Sequence, residues 1–270
     1  MATMDNAQSL FREGKLEELH RAVAADVRKN PQDASARALM VQVLCCEGAW
    51  ERAATQAAAL MKLDPGSALF CTSVQDAAAA EQERERVLSG RTAPCWLGEA
   101  PAYADAWRRA AAHYAAGRFA EAATETEAVL EALPCIPVTL SGGVQAPWLL
   151  DGDARFAGVL EWMRGGRYHL VALPQVASVE LPAPRLPVEA VWAHARITLR
   201  DGSSHIGRMP TRYPFTPGQE SPQNLLARST EWQEVAPGFC LGRGLRGWET
   251  PEGIIPLFSE HMLRFGTPTE

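Results

Sequence analysis

The spacing of hydrophobic positions changes near residue 134 of this 270-residue chain. Before that point the sequence is rich in Ala, Leu, Arg, Glu and Gln, which favour helices, and its few prolines separate one segment from the next. After that point most of the prolines and glycines occur, and the apolar runs are short and strand-like. The pattern predicts an α+β protein with a helical first half and a second half that contains strands.

A repeat is visible within the helical half. Each copy places a bulky residue (Leu16, Trp50 or Phe119) two positions after a Gly, and a Pro 17 positions after the same Gly. The Gly and Pro pairs are Gly14 and Pro31, Gly48 and Pro65, and Gly117 and Pro134. The first two copies are 34 residues apart, which is the period of tetratricopeptide repeats.

These positions suit a pair of packed helices. A Gly ends the first helix where the chain turns sharply, the bulky residue packs between the helices, and the Pro stops the second helix. A further helix is predicted at residues 67–88, where the charged run Glu81–Arg86 indicates a solvated face. Stacked helical pairs form a concave groove that commonly holds a peptide or a helix, so the first half favours an adaptor.

Two hairpins are predicted in the second half. Residues 158–164 and 167–173 are predicted strands joined by a Gly-Gly turn. Residues 192–200 and 204–209 are predicted strands around an Asp-Gly turn, which is a strong local hairpin signal. Antiparallel pairing is therefore expected in this half.

The remaining elements and boundaries follow from weaker signals. We expect a short helix at residues 221–232, a strand at Ile254–Ile255 and a terminal helix at residues 258–265. The prolines and glycines after the repeat predict a linker. The predicted division is a tetratricopeptide-like helical domain at residues 1–134, a linker at residues 135–147, and a smaller mixed α/β domain with antiparallel hairpins at residues 148–270.

Composition and charge exclude several classes of protein. Hydrophobic residues make up 47% and charged residues 21% of the chain, so neither disorder nor a coiled coil is expected. The net charge is −6 and no basic run occurs, so nucleic acid is not expected as the main partner. The first ten residues are polar and no apolar stretch is long enough for a membrane span, so we expect no signal peptide, no membrane contact and a cytoplasmic protein.

The sequence contains no familiar catalytic or metal-binding motif. It lacks a Walker loop, a Gly-x-Ser-x-Gly elbow, a His-Glu-x-x-His helix and a Gly-x-Gly-x-x-Gly turn. Its six cysteines form no Cys-x-x-Cys pair, which favours small buried side chains in a reducing compartment over zinc ligands or disulfides. We therefore expect no catalytic residues, no metal and no cofactor.

The densest polar cluster is the run from Asp151 to Arg155, which also contains Asp153. Two carboxylates at this spacing would suit a cation or acid–base chemistry, but the neighbouring residues supply no further oxygen ligands. We favour a tight turn in which the Asp side chains cap backbone amides and Arg155 pairs with a carboxylate. A role of this turn in binding another protein is the next alternative.

Histidine and tryptophan side chains suggest two more hypotheses for the second half. His169, His194 and His205 lie on predicted strands, where imidazoles from neighbouring strands would suit zinc, but their spacing favours ordinary half-buried or surface histidines. Tryptophan occurs in cores and in interface hot spots alike. Five of the eight lie in this half: Trp148, Trp162, Trp192, Trp232 and Trp248.

An ordered series of short motifs in the second half resembles a known family. The motifs are Trp148-Leu-Leu-Asp151-Gly-Asp153-Ala-Arg155, Gly158-Val-Leu-Glu161, Gly166-Arg-Tyr168, Val191-Trp192, Ala195-Arg-Ile-Thr-Leu199 and Pro210-Thr-Arg-Tyr-Pro214. The series is similar to the ImpE/SciE family, the TagJ accessory proteins of type VI secretion systems. The resemblance extends over nearly the whole chain, because that family also places tetratricopeptide-like helices before a mixed α/β domain.

The resemblance implies a binding protein and not an enzyme. It implies that the partner is the small subunit of the contractile sheath, bound through that subunit's N-terminal helix, and that the ClpV unfoldase is involved indirectly, in handling the sheath after contraction. We hypothesise a hydrophobic trough near the domain junction that takes apolar anchors of the partner helix. The candidate partner-binding residues are Trp148, Leu149, Asp151, Asp153, Arg155, Trp162, Trp192, Arg212 and Tyr213. The segment Pro182–Pro187 departs from the more acidic connector expected there.

Two other functions stay open beside the secretion adaptor. A general tetratricopeptide co-chaperone that grips acidic C-terminal tails would need clustered Lys and Arg on its inner helices, and the chain offers only scattered ones. These are Arg28, Lys29, Arg37, Lys62, Arg108 and Arg109. A metal-dependent hydrolase would use Asp151, Asp153 and one strand histidine.

Overall fold

The first half of the chain is an array of α-helices. The computed structural model describes residues 4–216 and 218–268. The helices are α1 (Met4–Arg12), α2 (Leu16–Lys29), α3 (Ala34–Glu47), α4 (Trp50–Leu63), α5 (Ala68–Leu88), α6 (Ala104–Ala115) and α7 (Phe119–Glu131). Helices α1 and α2, α3 and α4, and α6 and α7 pack on each other as hairpins. The predicted helical N-terminal region is confirmed.

The repeated glycines lie at the turns inside these hairpins. Gly14, Gly48 and Gly117 have φ angles of +75°, +75° and +69°, a conformation that residues with a side chain rarely adopt. The second helix of each hairpin ends two or three residues before the repeated Pro. Within residues 4–216 and 218–268, no helix is both long enough and apolar enough to cross a membrane.

Strands are the main regular elements of the second half, and a further strand, Cys95–Trp96, lies in the first half. They are β1 (Cys95–Trp96), β2 (Val138–Thr139), β3 (Gln145–Ala146), β4 (Leu150–Asp151), β5 (Val159–Arg164), β6 (Arg167–Ala172), β7 (Val176–Glu180), β8 (Trp192–Leu199), β9 (Ser204–Pro210), β10 (Thr230–Ala236), β11 (Phe239–Gly244), β12 (Gly247–Thr250), β13 (Gly253–Pro256) and β14 (Met262–Phe265). One short helix, α8 (Pro222–Leu225), lies between β9 and β10.

The strands form one large and two small sheets. The large sheet has the order β1-β6-β5-β9-β8-β7-β14-β2-β3, and the small sheets have the orders β10-β11 and β13-β12-β4. Both predicted hairpins are confirmed as the antiparallel pairs β5/β6 and β8/β9. Strand β1 comes from the helical half and pairs in parallel with β6, with Cys95 opposite His169. The two halves therefore share a sheet.

Three predicted elements differ from the structure. The segment predicted to be a linker, residues 135–147, forms β2 and β3, which pair with each other and extend the large sheet through β14. The predicted terminal helix is strand β14, because buried Leu263 and Phe265 alternate with exposed Arg264, a period of two. Only one helical turn, α8, forms within residues 221–232, and β10 begins at Thr230.

The hydrophobic core runs across the junction of the two halves. One core cluster joins Leu44 and Val74 of the helical array to Tyr168 and Trp192 of the sheet. A second cluster, which includes Trp162 and Trp248, lies inside the strand-rich half. Helix α5 packs on β5 and β6 through small residues such as Ala77 and Ala80, which allow a close approach. The contact between the halves is thus built like a protein interior.

Candidate functional site

The Asp151–Arg155 turn is fully engaged in internal contacts. Asp153 accepts backbone N–H bonds from Arg155 (2.9 Å) and from Gly242 of β11 (2.7 Å), and it pairs with the Arg155 guanidinium. Asp151 accepts the N–H of Asp153 at 2.9 Å. This geometry confirms the interpretation of the run as a tight turn with capped amides.

Asp151 also belongs to a buried group of polar side chains. The Tyr213 hydroxyl donates to its carboxylate at 2.9 Å, and the Arg246 guanidinium pairs with both Asp151 and Glu161. Arg246 in turn lies over the rings of Phe156 and Tyr213. Burial raises the pKa of Asp151 to about 6, although Arg246 opposes this shift.

Helix α5, in the helical half, contributes Arg84 to the same buried group of polar side chains. Arg84 makes a two-point contact with Glu161, at 2.6 Å from Nε and 2.9 Å from Nη2, and donates to the carbonyl of Arg212. Tyr168 donates its hydroxyl to Glu161 at 2.6 Å. Burial alone would raise the pKa of Glu161, but Arg84 and Arg246 outweigh it and hold that pKa below its usual value. We call this group, Arg84, Asp151, Glu161, Tyr213 and Arg246, the junction cluster.

The charged run on α5 is not simply a solvated face. Glu81 is buried and accepts the indole N–H of Trp192 at 2.8 Å, while buried Arg84 pairs with Glu81 and with Glu161. Periodicity places these two residues, three apart, on one side of the helix. The sequence does not predict the burial of Glu81 and Arg84, because a run of charged residues is normally exposed. The one sequence signal for a buried partner of Arg84 was the motif residue Glu161.

Arg212 joins the second half to the end of α3. Its guanidinium donates to the carbonyls of Cys46 (2.6 Å) and Cys45 (3.2 Å), and it also donates to the carbonyl of Leu225. A cation is favourable at a helix C-terminus, where carbonyls lack partners. The same guanidinium lies 4.8 Å from the ring centre of Phe215.

Most of the predicted partner-binding residues lie inside the protein. Leu149, Asp153, Trp162, Trp192 and Tyr213 are at most 1% exposed, and Asp151 and Arg212 are also buried. Trp148 and Arg155 are partly exposed. The structure brings Asp151, Asp153, Arg155 and Tyr213 into contact and places Trp162 in the neighbouring core. Of the predicted set, Trp192 and Arg212 contact the helical half, and the assignment of the set to a partner site stays a prediction.

The histidine hypothesis finds no site among the described residues. His169 is half-buried on β6, His194 lies 3.9 Å from Glu189, and His205 contacts Arg164 at 3.0 Å. Burial lowers the pKa of His169 and of His194. No group of three His, Cys, Asp or Glu within residues 4–216 and 218–268 is placed to hold a metal ion.

The basic residues of the co-chaperone hypothesis are equally dispersed. Arg37 donates to Gln56 and to the carbonyl of Pro31, and Arg109 pairs with Glu125. Arg28 lies in a cavity of about 360 Å³ between α2, α3 and α4 that Glu51 and Arg52 also line. This cavity therefore presents mixed charge and not a cationic cluster.

An apolar groove opens between the first helices and the Pro-rich segment. It has a volume of about 500 Å³ and is lined from α1, α2, α3 and residues 184–190. Its apolar lining includes Phe11, Leu16, Leu19, Leu39, Val43 and Leu186. We call it the N-terminal groove. Leu186 is 49% exposed, so the groove presents an apolar surface that the described residues, 4–216 and 218–268, leave uncovered.

A second groove lies at the junction itself. It has a volume of about 460 Å³ and runs between α4, α5, α6 and residues 214–216. Trp50, Leu88 and Phe215 line it together with the carboxylates of Glu51, Glu81 and Glu85. We call it the junction groove. Of the predicted partner-binding residues, Arg155 alone contributes to its described lining.

The sequence offered one partial signal for the N-terminal groove. Its Pro-rich wall was visible as the segment Pro182–Pro187, which departs from the family pattern. Its other walls come from helices some 140 to 180 positions earlier in the chain. A periodic pattern identifies the buried face of each helix, but it does not show which distant loop faces that helix.

Two sequence comparisons with known proteins indicate one family, and a structural comparison supports the fold. A sequence model described as ImpE protein matches residues 143–264. The type VI secretion system accessory component TagJ of Pseudomonas aeruginosa is 30% identical over 264 residues, which span 98% of this chain and 92% of that protein. The crystal structure of protein VPA1032 from Vibrio parahaemolyticus has a TM-score of 0.87 at 22% identity and covers 96% of this chain and 97% of that one. This last similarity supports the fold.

Proposed function

Since the chain belongs to the ImpE family of type VI secretion system accessory components, we propose that it is a non-catalytic adaptor that binds the N-terminal helix of the small sheath subunit in the N-terminal groove. In this proposal the chain acts in the cytoplasm and changes how the ClpV unfoldase handles the sheath, through the sheath subunit that it holds. Membership of the family supports a role in the type VI secretion system, and the apolar groove supports the binding of a helix.

The observation that carries this proposal is the apolar surface of the N-terminal groove. Helix-in-groove recognition needs a hydrophobic trough that takes side chains at positions i, i+3 or i+4, and i+7 of the bound helix. A groove of about 500 Å³ lies within the usual size range of binding pockets. Half-buried Leu39 and Phe11 give it apolar walls that are accessible from solvent.

The burial of the junction cluster also favours this location. A bound helix has to reach its contacts without opening the core, and an uncompensated buried charge is strongly destabilising. The N-terminal groove needs no such opening, because exposed Leu186 and half-buried Leu39 already face it. The junction groove is the less suitable site for an apolar helix, because charged side chains of both signs line it, three carboxylates and two arginines.

The experiment is a calorimetric titration of the chain with a peptide of the first ~20 residues of the small sheath subunit encoded beside it, a length that forms several helical turns. We expect one-to-one binding at micromolar affinity or better. Leu39→Glu and Leu186→Glu place a charge in the apolar surface and should each weaken binding by about tenfold or more.

The matched control is Ile206→Glu. Ile206 is an apolar side chain on β9 that is 63% exposed and does not line the N-terminal groove. This variant should bind the peptide like the unaltered chain. Absence of peptide binding by the folded protein would refute the proposal, and equal binding by the Leu39 and Leu186 variants would refute the location.

A further inference from the structure

Among the described residues that line the N-terminal groove, the charged ones all have one sign. Its lining contains two charged residues, Arg12 at the end of α1 and Arg185 on the Pro-rich segment, and both are exposed. The chain as a whole has a net charge of −6, so a groove lined by cations alone is unusual for its surface. The junction groove differs, because residues of both signs line it: three carboxylates together with Arg84 and Arg155.

Nearby carboxylates are held by partners of their own. Glu189 accepts the backbone N–H groups of Arg185 (2.5 Å) and Leu186 (3.1 Å), which fixes the Pro-rich wall. Glu13, at the turn after α1, pairs with Lys15 at 2.8 Å. The two arginines are thus the charged residues of the described lining, while Glu189 keeps its negative charge beside the Pro-rich wall.

A third arginine, Arg228, holds the end of α1, which forms one wall of the N-terminal groove. Arg228 donates to the carbonyls of Phe11 (2.7 Å) and Arg12 (2.9 Å), the last residues of α1, and its guanidinium lies 5.0 Å from the centre of the Phe11 ring. This contact adds positive charge beside the groove. It also holds the end of α1, whose last residue, Arg12, lines the groove.

One polar atom in the groove has no partner. Gln42 lies on α3 between Leu39 and Val43, and all three line the groove. Its side-chain oxygen is buried and makes no hydrogen bond within residues 4–216 and 218–268. An unpaired buried polar group is costly, so this oxygen gains free energy when the half-buried Gln42 side chain turns toward the groove and a partner there donates to it.

We infer that the N-terminal groove selects an amphipathic helix whose apolar stripe is flanked by carboxylates and interrupted by one uncharged hydrogen-bonding side chain. The inference rests on the proposed function, because it describes the helix that the same groove would hold. Carboxylates on the two flanks meet Arg12 and Arg185, which come from different walls. The uncharged polar residue meets Gln42 between the apolar anchors.

The test uses designed helical peptides as probes and full-length protein. Two peptides of ~18 residues share one Leu stripe with a central Ser, and differ in flanks of Glu or of Lys. Fluorescence anisotropy at low salt should show the Glu-flanked peptide binding at least about tenfold more tightly, because two ion pairs are gained and two repulsions avoided. The double variant Arg12→Glu, Arg185→Glu should reverse this preference.

The matched control for charge is Arg52→Glu. Arg52 is exposed on α4 and lines a different cavity, so this variant changes the net charge without changing the groove. It should retain the preference for the Glu-flanked peptide. Equal affinity for the two peptides in the unaltered chain, or a preference that survives the double reversal, would overturn the inference.

Replacement of Gln42 tests the polar contact separately. Gln42→Leu should bind the Glu-flanked peptide with central Ser about fivefold more weakly and should bind a Glu-flanked peptide with Leu in place of Ser more tightly. Unchanged relative affinity for these two peptides would remove Gln42 from the inference.

The sheath peptide distinguishes this inference from the proposed function. Sheath peptide that binds but does not respond to the Arg12 and Arg185 reversal would overturn the inference and leave the function standing. Failure of the sheath peptide to bind, while the Glu-flanked peptide binds and responds to the reversal, would confirm the selectivity of the groove and refute the proposed partner.

Discussion

The junction cluster and the N-terminal groove are built from opposite kinds of residues. The junction cluster combines three side chains of the family motifs with two arginines outside those motifs, Arg84 and Arg246, and all five are buried and hydrogen-bond within the cluster. The groove is made of ordinary apolar helix residues and a Pro-rich segment, and it stays open to solvent. In this protein the motif residues of the cluster maintain the architecture, and in the proposed function the less distinctive residues of the groove offer the binding surface.

The largest expected effect is the loss of a charge from the junction cluster. Glu161→Ala leaves Arg84 and Arg246 without their shared carboxylate, so the free energy of unfolding should fall by about 3–5 kcal/mol. Urea unfolding measures this loss of stability. Glu85→Ala is the control, because its pair with Arg91 is more than 60% exposed on both sides, and its loss should cost less than about 1 kcal/mol. Equal costs would show that the buried cluster is not what joins the halves.

The next effect concerns the turns of the helical hairpins. Gly48 and Gly117 both have positive φ, but a Cβ on Gly48 would lie 2.6 Å from the Phe215 ring, whereas nothing lies within 4 Å of one on Gly117. Gly117→Ala should cost about 1 kcal/mol through backbone strain alone, and Gly48→Ala about 3 kcal/mol. Thermal unfolding of the two variants measures the difference. Equal costs would mean that residues 214–216 do not press on the α3–α4 turn.

A smaller effect is the pH dependence that Asp151 introduces. Its pKa is about 6 in the folded protein against 3.8 for an ordinary Asp, so between these values the folded chain holds a proton that the unfolded chain has released. Stability due to this group therefore falls as pH rises from 4 to 6, by on the order of 2 kcal/mol. In Asp151→Asn, urea midpoints over this range should lack that decline. If the pH profile of Asp151→Asn were the same as that of the unaltered chain, Asp151 would not be the cause of the decline.

The smallest expected effect on stability is at the N-terminal groove. Leu186→Glu changes a half-exposed side chain, so its free energy of unfolding should stay within about 0.5 kcal/mol of the unaltered chain. The variant should nevertheless lose sheath-peptide affinity. A large loss of stability would show that the Pro-rich wall is part of the core, and the contrast between the two regions would fail.

The sequence was sufficient for the elements whose signals are local. The glycines of the helical turns and the Gly-Gly and Asp-Gly hairpins are readable because each depends on a few adjacent residues. Residues 135–147 were misread as a linker, because Pro and Gly are common to linkers and to tight hairpins, and only the distant strand β14 decides between them. The same holds for residues 258–265, where pairing with β7 and β2 overrides helix propensity.

The candidate site was harder to predict for a related reason. Burial of Glu81 and Arg84 depends on Trp192 and Glu161, about 110 and 80 residues away, so local pattern assigned both to solvent. The N-terminal groove likewise joins α1–α3 to residues 184–190. Motif residues indicated the family, but what each one does depends on contacts that are visible only in the folded chain.

The most direct test of the account is hydrogen–deuterium exchange of the full chain with and without the sheath peptide. If the sheath helix binds in the N-terminal groove, exchange should become slower in the segments that line it when the peptide is added. These segments are Ala7–Arg12, Leu39–Cys46 and Arg185–Ala190. Exchange around Glu81–Ser89 and residues 214–216, at the junction groove, should not change. Protection at the junction groove without protection at the N-terminal groove would contradict the account.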